Sequence, residues 1–399
     1  MRPEDFGPQS PGSLIRSVRG HWTFVPNPLP PVLTFDYELI GLLSKADLAL
    51  GELAGVGRRL PNPMILLRPF IRREAVLSSR IEGTVTQLDE LFLYEADDQN
   101  QNHPADAGEV RNYVHATEYG LNALRDGTPI SIKLLGELHR ILLTDVRGAE
   151  NRPGELRDRG VLIGRAGQTY ETARFVPPCH TQIRPLLDQF VDYLRTARSL
   201  PIVVQLALAH YQFETIHPFN DGNGRVGRLL MALLLVERGI LKEPLLYLSG
   251  YIEQNRVDYY DGLLNVSCHG AWNQWLAYVA TAVAVQSRDA AMRATKLLDV
   301  ANDLLKKAAR VVRSPSLPVL IEELISAPYL TIQRIAEICE LSFNTASRMV
   351  AKLVELGMLR EVTGKARDRV FCADEIMHWL EAPMGDLPQV ERPAVRQST

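Results

Sequence analysis

Between Pro201 and Thr215 apolar residues return at helical spacing (Val204, Leu206, Leu208, Ala209), and Leu229 to Val236 is a continuous, strongly helix-forming apolar run. The two predict consecutive helices joined by a short polar turn. The same periodicity predicts helices over about Asp36 to Gly55, Arg73 to Tyr94, Glu109 to Leu124, Ile132 to Leu143, Ile183 to Ala197 and Trp272 to Leu305. Proline-rich stretches from Gly7 to Gly12 and Pro26 to Pro31 predict an extended N-terminal arm, and polar, acidic Ala96 to Gly108 predicts a loop. Val161-Leu162-Ile163 and Arg174-Phe175-Val176-Pro177 are β-prone and flank Gly164 to Gln168, which predicts a hairpin. The fold class is therefore mostly α, a helical core with a small β-hairpin flap.

The pattern changes after Arg313-Ser314-Pro315-Ser316-Leu317-Pro318, which has linker chemistry. From Leu317 to Phe371 it predicts a helix, then a helix from Thr331 to Glu340, a turn at Leu341-Ser342, a helix from Asn344 to Leu356 capped by Gly357, and β-prone segments around Met358-Leu359-Arg360 and Arg369-Val370-Phe371. This looks like a winged helix-turn-helix domain. The expected division is an N-terminal arm and helical region over 1–107, a core over 108–290, a linking helix over 291–312, the winged helix-turn-helix over 313–382 and a disordered tail over 383–399.

The turn between the first two helices carries the chemistry. Its sequence is His217-Pro218-Phe219-Asn220-Asp221-Gly222-Asn223-Gly224-Arg225-Val226-Gly227-Arg228. Gly222 and Gly224 let backbone approach a ligand closely, and the amides of Gly222 to Arg225 fall where the second helix begins, a ready anion site. Arg225 and Arg228 lie three apart on one helix face, and their guanidinium forks suit phosphate oxygens. Asp221 suits Mg²⁺, which takes one or two carboxylates plus substrate oxygens. Pro218 keeps His217 out of right-handed helical geometry at the mouth of the turn, where it reads as a general base. Each residue alone also fits a ligand-free turn; the combination points to phosphate chemistry.

At every specified position the run resembles the Fic family pattern His-x-Phe-x-(Asp/Glu)-Gly-Asn-Gly-Arg-x-x-Arg, within the Fido superfamily. The resemblance implies transfer of a nucleoside monophosphate, usually AMP from ATP, to a Tyr, Ser or Thr hydroxyl of a protein. It implies His217 as catalytic base and Asp221 as the ligand of Mg²⁺ on ATP. It further implies ATP binding by His217 and by Gly222, Asn223, Gly224, Arg225, Val226, Gly227 and Arg228, with Arg228 on the γ-phosphate and Phe219 as a core anchor. Upstream, Ser78-x-x-x-Glu82-Gly83 is similar to the inhibitory helix of Fic proteins that inhibit themselves from the N-terminal side, here about 71–94. An i,i+4 Ser78–Glu82 pair would steady the carboxylate against Arg228. The 161–177 hairpin is similar to the family's flap, where a target protein docks by backbone pairing. Tyr251 to Arg256 with Tyr259 and Tyr260 resembles the adenine-side helix, which adds Asn255, Tyr259 and Tyr260 to the ATP site. Self-modification is a further expectation.

Composition narrows the alternatives. With 46% hydrophobic and 23% charged residues, the 399-residue chain is ordinary globular material with room for two or three domains. Its apolar stretches fall short of the ~20 residues that span a bilayer, and Met1-Arg2-Pro3-Glu4-Asp5 lacks a signal core, so the expected location is cytoplasmic with no membrane partner. Cys179, Cys268, Cys339 and Cys372 have neither disulfide-framework nor zinc spacing. A net charge of -3 leaves any nucleic-acid contact local. Asn344, Arg348, Lys365 and Arg367 are the candidate DNA contacts of the winged helix, which has seven Lys/Arg against five Asp/Glu over Thr331 to Cys372. A protein partner there is the other choice. The competing functions are a DNA-binding regulator with a nucleotide-sensing core, and a phosphodiesterase that removes AMP with Glu82 orienting a water.

Overall fold

The structure is a computed structural model that describes residues 1–59, 62–97, 106–165 and 167–383. It is mostly helical. After a hairpin of β1 (Gly12–Arg16) and β2 (Trp22–Pro26) come α1 (Tyr37–Arg59), α2 (Met64–Ile81), α3 (Leu88–Ala96), α4 (Ala107–Arg125), α5 (Ile132–Leu142) and α6 (His180–Thr196). Then follow α7 (Ile202–Ile216), α8 (Asn223–Glu237), α9 (Ser249–Gln254), α10 (Arg256–His269) and α11 (Trp272–Ala309). The C-terminal unit is α12 (Leu317–Ser326), β3 (Tyr329–Thr331), α13 (Ile332–Ile338), α14 (Phe343–Glu355), β4 (Arg360–Glu361), β5 (Val370–Cys372) and α15 (Asp374–Glu381). Its antiparallel sheet runs β3-β5-β4.

α7 and α8 are apolar on nearly every side and almost fully buried, which places them at the centre. α11 is the spine: α1 lies along it, and its last turns bury Leu297, Val300, Leu304 and Ala308 in the same continuous core that includes α12. Residues 291–309, expected as a separate linking helix, are the second half of this one helix.

Three expectations change. The Arg73 to Tyr94 helix is two helices, because Gly83 turns left-handed (φ 98°) and Gln87 starts α3 with a reciprocal capping box to Glu90. The proline-rich arm contains the β1–β2 hairpin, in register from Gly12 opposite Pro26 to Arg16 opposite Trp22. The 161–177 flap is not a pair of strands. One antiparallel bridge joins Ile163 to Phe175, and Pro177 and Pro178 have no N–H to extend it. The Val176 carbonyl instead accepts the N–H of Phe24 in β2, so the N-terminal hairpin backs the flap. Most of the Ala96 to Gly108 loop (98–105), Ala166 of the flap and the expected tail from 384 on lie outside the described residues.

Candidate active site

α7 ends at His217, whose left-handed backbone (φ 50°, ψ 62°) swings the chain out of the helix. Its Nδ1 lies 3.2 Å from the Glu214 carbonyl. A carbonyl only accepts, so Nδ1 carries the proton and Nε2 is left with its lone pair. Burial, helped by the nearby Arg157 cation, lowers the His217 pKa to about 4, so the ring is neutral at physiological pH.

Three side chains hold the loop that follows. Asn223 accepts the Phe219 N–H and donates to the Phe219 carbonyl, both at 2.9 Å. Phe219 is buried and stacks flat on His139, with ring centroids 3.9 Å apart. His139 Nδ1 accepts the Gly154 N–H at 2.8 Å, so its Nε2–H donates to the Asp221 carbonyl at 3.0 Å. Burial lowers its pKa to about 4, which fixes this neutral arrangement. Arg157, 2% exposed, donates to the carbonyls of His217 (2.7 Å), Pro178 (2.6 Å) and Arg159 (3.0 Å), tying the catalytic loop to the flap's base. The chain then turns at Gly222 (φ 73°) into α8. No side chain caps that helix, so its first amides face the mouth of the site.

Glu82 lies over this N-terminus. It is the C-cap of α2, and its Oε1 accepts from Arg228 Nη2 at 2.7 Å. A Cβ on Gly224 would collide with both Glu82 Oε1 and Arg228 Nη1. Arg228, 3% exposed, also donates to Ser78 Oγ at 2.8 Å and the Ser78 carbonyl at 3.0 Å. Ser78 therefore holds the arginine, where the sequence reading had it steady the glutamate. Burial opposes ionisation of Glu82, but Arg228, then Arg225, hold its carboxyl below the usual range. The side chain remains 33% exposed.

The other expected site residues lie as follows. Arg225 makes a buried ion pair with Glu109 (3.2 Å), which Arg147 also contacts (3.3 Å), and its guanidinium stays close to Gly222 at the start of α8. Val226 is core, and Gly227 is there for packing, since a Cβ would strike Glu214 of α7. Tyr259 is buried with its hydroxyl 2.8 Å from His210 Nε2; Tyr260 meets it edge-on, and Asn255 Nδ2 donates to the Tyr251 carbonyl at 2.9 Å. Gly83 follows Glu82 out of α2. In the C-terminal unit Asn344 and Arg348 are exposed at the start of α14 and Arg367 is exposed, whereas Lys365 is ion-paired to Asp97 at 2.5 Å. Asp221, half-buried, accepts the Gly222 N–H at 2.6 Å.

Sequence reasoning missed His139, Arg157, the buried carboxyl of Glu74 and the part-buried one of Glu214. Burial pushes Glu74 up to about 7 despite hydrogen bonds from Ser249 and Tyr113, and Glu214 up to about 8 against the pull of Arg228. All four act through backbone or long-range contacts that leave no local signature.

A loop braced around a neutral histidine stands against an uncapped helix N-terminus with its arginine, an arrangement suited to receive an anionic group. Residues 40–122 match the Fic/DOC family N-terminal model and residues 129–235 the Fic/DOC family model. A Fic family protein from Desulfovibrio desulfuricans G20 has the same fold, with a TM-score of 0.55 at 21% identity over 86% of this chain and 98% of that one. The chain is 44% identical over 69 residues to a probable protein adenylyltransferase of Aquifex aeolicus (strain VF5), covering 17% of this chain and 22% of the relative. It is 41% identical over 112 residues to the protein adenylyltransferase Fic of Drosophila willistoni, covering 28% and 20%. The chain carries a Fic/DOC family N-terminal domain and a Fic/DOC family domain. It spans about a fifth of the length of these two curated relatives. Among the described residues no helix is long and apolar enough to cross a membrane.

Proposed function

We propose that the protein is an adenylyltransferase that moves AMP from ATP to a Tyr, Ser or Thr hydroxyl of a protein, itself included, and that Glu82 holds it in an inhibited state. The observation that carries this is the placement of Glu82 Oε1 on Arg228 above Gly224, a carboxylate standing where a nucleotide's phosphates would meet the α8 amides. Relatives named protein adenylyltransferase support the choice of reaction.

His217 Nε2 takes the proton of the acceptor hydroxyl. The hydroxyl oxygen bonds to the α-phosphorus as the bond to pyrophosphate breaks, and pyrophosphate leaves with that electron pair. The α8 amides and Arg228 hold the departing phosphates, and Asn223, His139 and Arg157 keep the loop in place without touching them. Asp221 fits the Mg²⁺ that accompanies ATP. Its carboxylate stands alone, with no cluster of three or more protein ligands among the described residues, and Mg²⁺ prefers one or two carboxylates with phosphate oxygens and waters. Bound there, it would neutralise charge on the phosphates. The target's backbone would dock along 161–177. A cytoplasmic location fits these substrates. The DNA-binding reading keeps Asn344, Arg348, Arg367 and Arg369 exposed but loses Lys365, which is held by Asp97.

The test is incubation of the purified chain with labelled ATP, GTP, CTP or UTP, alone and with lysate. Label should pass from ATP to protein, and His217→Ala should lower transfer by about 10²–10⁴ while ATP still binds. Equal transfer by His217→Ala would sink the mechanism.

A further inference from the structure

A cleft of about 520 Å³ opens between α2, α3 and α4 on one side and α12, β3 and α13 on the other, well away from the α8 N-terminus in the contacts it makes. Its size falls within the range of small-molecule sites. Four arginines line it. Arg72 is paired with Glu95 at 2.5 Å, Arg68 with Glu323 at 3.6 Å, and Arg334 with Glu337 at 3.5 Å and Glu323 at 4.0 Å. Arg111 differs. Its guanidinium lies 5.0 Å over the ring of Tyr94, which fixes its plane, yet among the described residues its buried Nε has no hydrogen-bond acceptor and no carboxylate pairs with it. A buried guanidinium N–H without an acceptor is costly. His115, four residues on along α4 and so on the same face, also lines the cleft and is exposed.

Arg111, with the His115 ring beside it as a further hydrogen-bonding group, calls for an anion, because the other three arginines already have theirs. The volume far exceeds that of an inorganic ion, and Phe92, Ala327, Tyr329 and Leu330 supply an apolar wall beside it. We propose that this cleft is a binding site for a small molecule with a ring-sized apolar body and one phosphate or carboxylate group, the anion taken by Arg111 and His115 and the body by the α3–β3 wall. The inference is independent of the transferase reading, since it concerns binding alone. The same cleft includes Arg68 and Arg72 of α2, the helix whose last turns carry Ser78 and Glu82.

Calorimetric titration of the full chain with phenyl phosphate, benzoate and inorganic phosphate tests it. At least one ring-bearing anion should bind saturably at one site per chain and more tightly than inorganic phosphate, and the two arms separate phosphate from carboxylate. Arg111→Ala should weaken that binding about tenfold or more. Arg111→Gln, which keeps a stem against Tyr94, should show the same loss with an unchanged circular dichroism spectrum. Absence of saturable binding by both ring-bearing anions, or equal affinity in Arg111→Gln, overturns the assignment.

Discussion

Removing the Glu82 carboxylate tests the inhibited state most directly, and its size follows from the contacts. In Glu82→Gly, Arg228 loses one charge-assisted hydrogen bond of 2.7 Å but keeps both bonds to Ser78. Such a bond is worth about 1.5–3 kcal/mol, and the 33% exposure of the glutamate side chain argues for the lower end. Clearing an anion from the start of the 15-residue α8 removes a further competitor for the phosphates, worth about 0.3–1 kcal/mol. Together they give about 2 kcal/mol, or roughly thirtyfold in effective competition for the γ-phosphate. The assay is initial rate of labelled AMP transfer to protein at ATP concentrations below saturation, with ATP affinity measured in parallel. Glu82→Gln, which can still accept from Arg228 without charge, should fall between wild type and glycine. Arg228→Ala added to Glu82→Gly should cancel the gain, because both effects run through one guanidinium. A Glu82→Gly rate equal to wild type would refute the competition argument. Loss of an AMP-removing activity in Glu82→Gly would instead make Glu82 a catalytic residue.

Two further outcomes concern the scaffold. Glu214 has its carboxyl pushed up to about 8 by burial, against about 4.5 in an unfolded chain; the folded state then binds the extra proton, so its contribution is complete below pH 4.5 and is lost as pH rises through 8. Thermal melts should show wild type losing up to about 1.4 kcal/mol per pH unit across that window relative to Glu214→Gln, and parallel pH profiles would count against the buried, protonated carboxyl. Asn223→Ala strands the N–H and carbonyl of buried Phe219, which should cost about 2–4 kcal/mol in urea unfolding; a change below about 0.5 kcal/mol would show that the loop does not depend on this clamp.

How far the sequence reveals the molecule depends on the range of the interactions. α4, α5, α6 and α7 start and stop within a few residues of their apolar periodicity, because each buries one face or nearly all of itself. The break between α2 and α3 was also readable, in Gly83 and in the Gln87 to Glu90 capping box, but the apolar rhythm runs through it and masks it. The β1–β2 hairpin carries only Gly20 as a turn signal, and its partner Val176 lies some 150 residues away. His139 and Arg157 were invisible for a related reason: their partners are backbone carbonyls and, for His139, also the Gly154 N–H, and backbone groups have no letter in the sequence. Arg225 has a partner that the motif does not carry. Three-residue spacing puts it beside Arg228 on α8, but Glu109 of α4 supplies a buried acceptor and takes it.

The same logic of partners explains Ser78. A guanidinium as buried as Arg228 must have acceptors, and its acceptors differ in permanence. Ser78 Oγ and its carbonyl belong to the body of α2 and are fully buried, whereas Glu82 sits at the helix end, one third exposed, next to a left-handed glycine. The fixed pair orients the arginine; the end residue fills the one position that can be vacated. On the proposed mechanism a nucleotide phosphate would replace Glu82 without Arg228 having to reorient. Ser78 should accordingly matter even when inhibition is gone. If it served only to steady Glu82, Ser78→Ala in the Glu82→Gly background would leave transfer unchanged. If it orients Arg228, the same substitution frees the Nε and lets the fork swing, costing about 1.5 kcal/mol of phosphate positioning and roughly tenfold in transfer at low ATP. Ser78→Thr, which retains the hydroxyl, should recover most of that loss, and a double variant as active as Glu82→Gly alone would assign the serine to the glutamate after all.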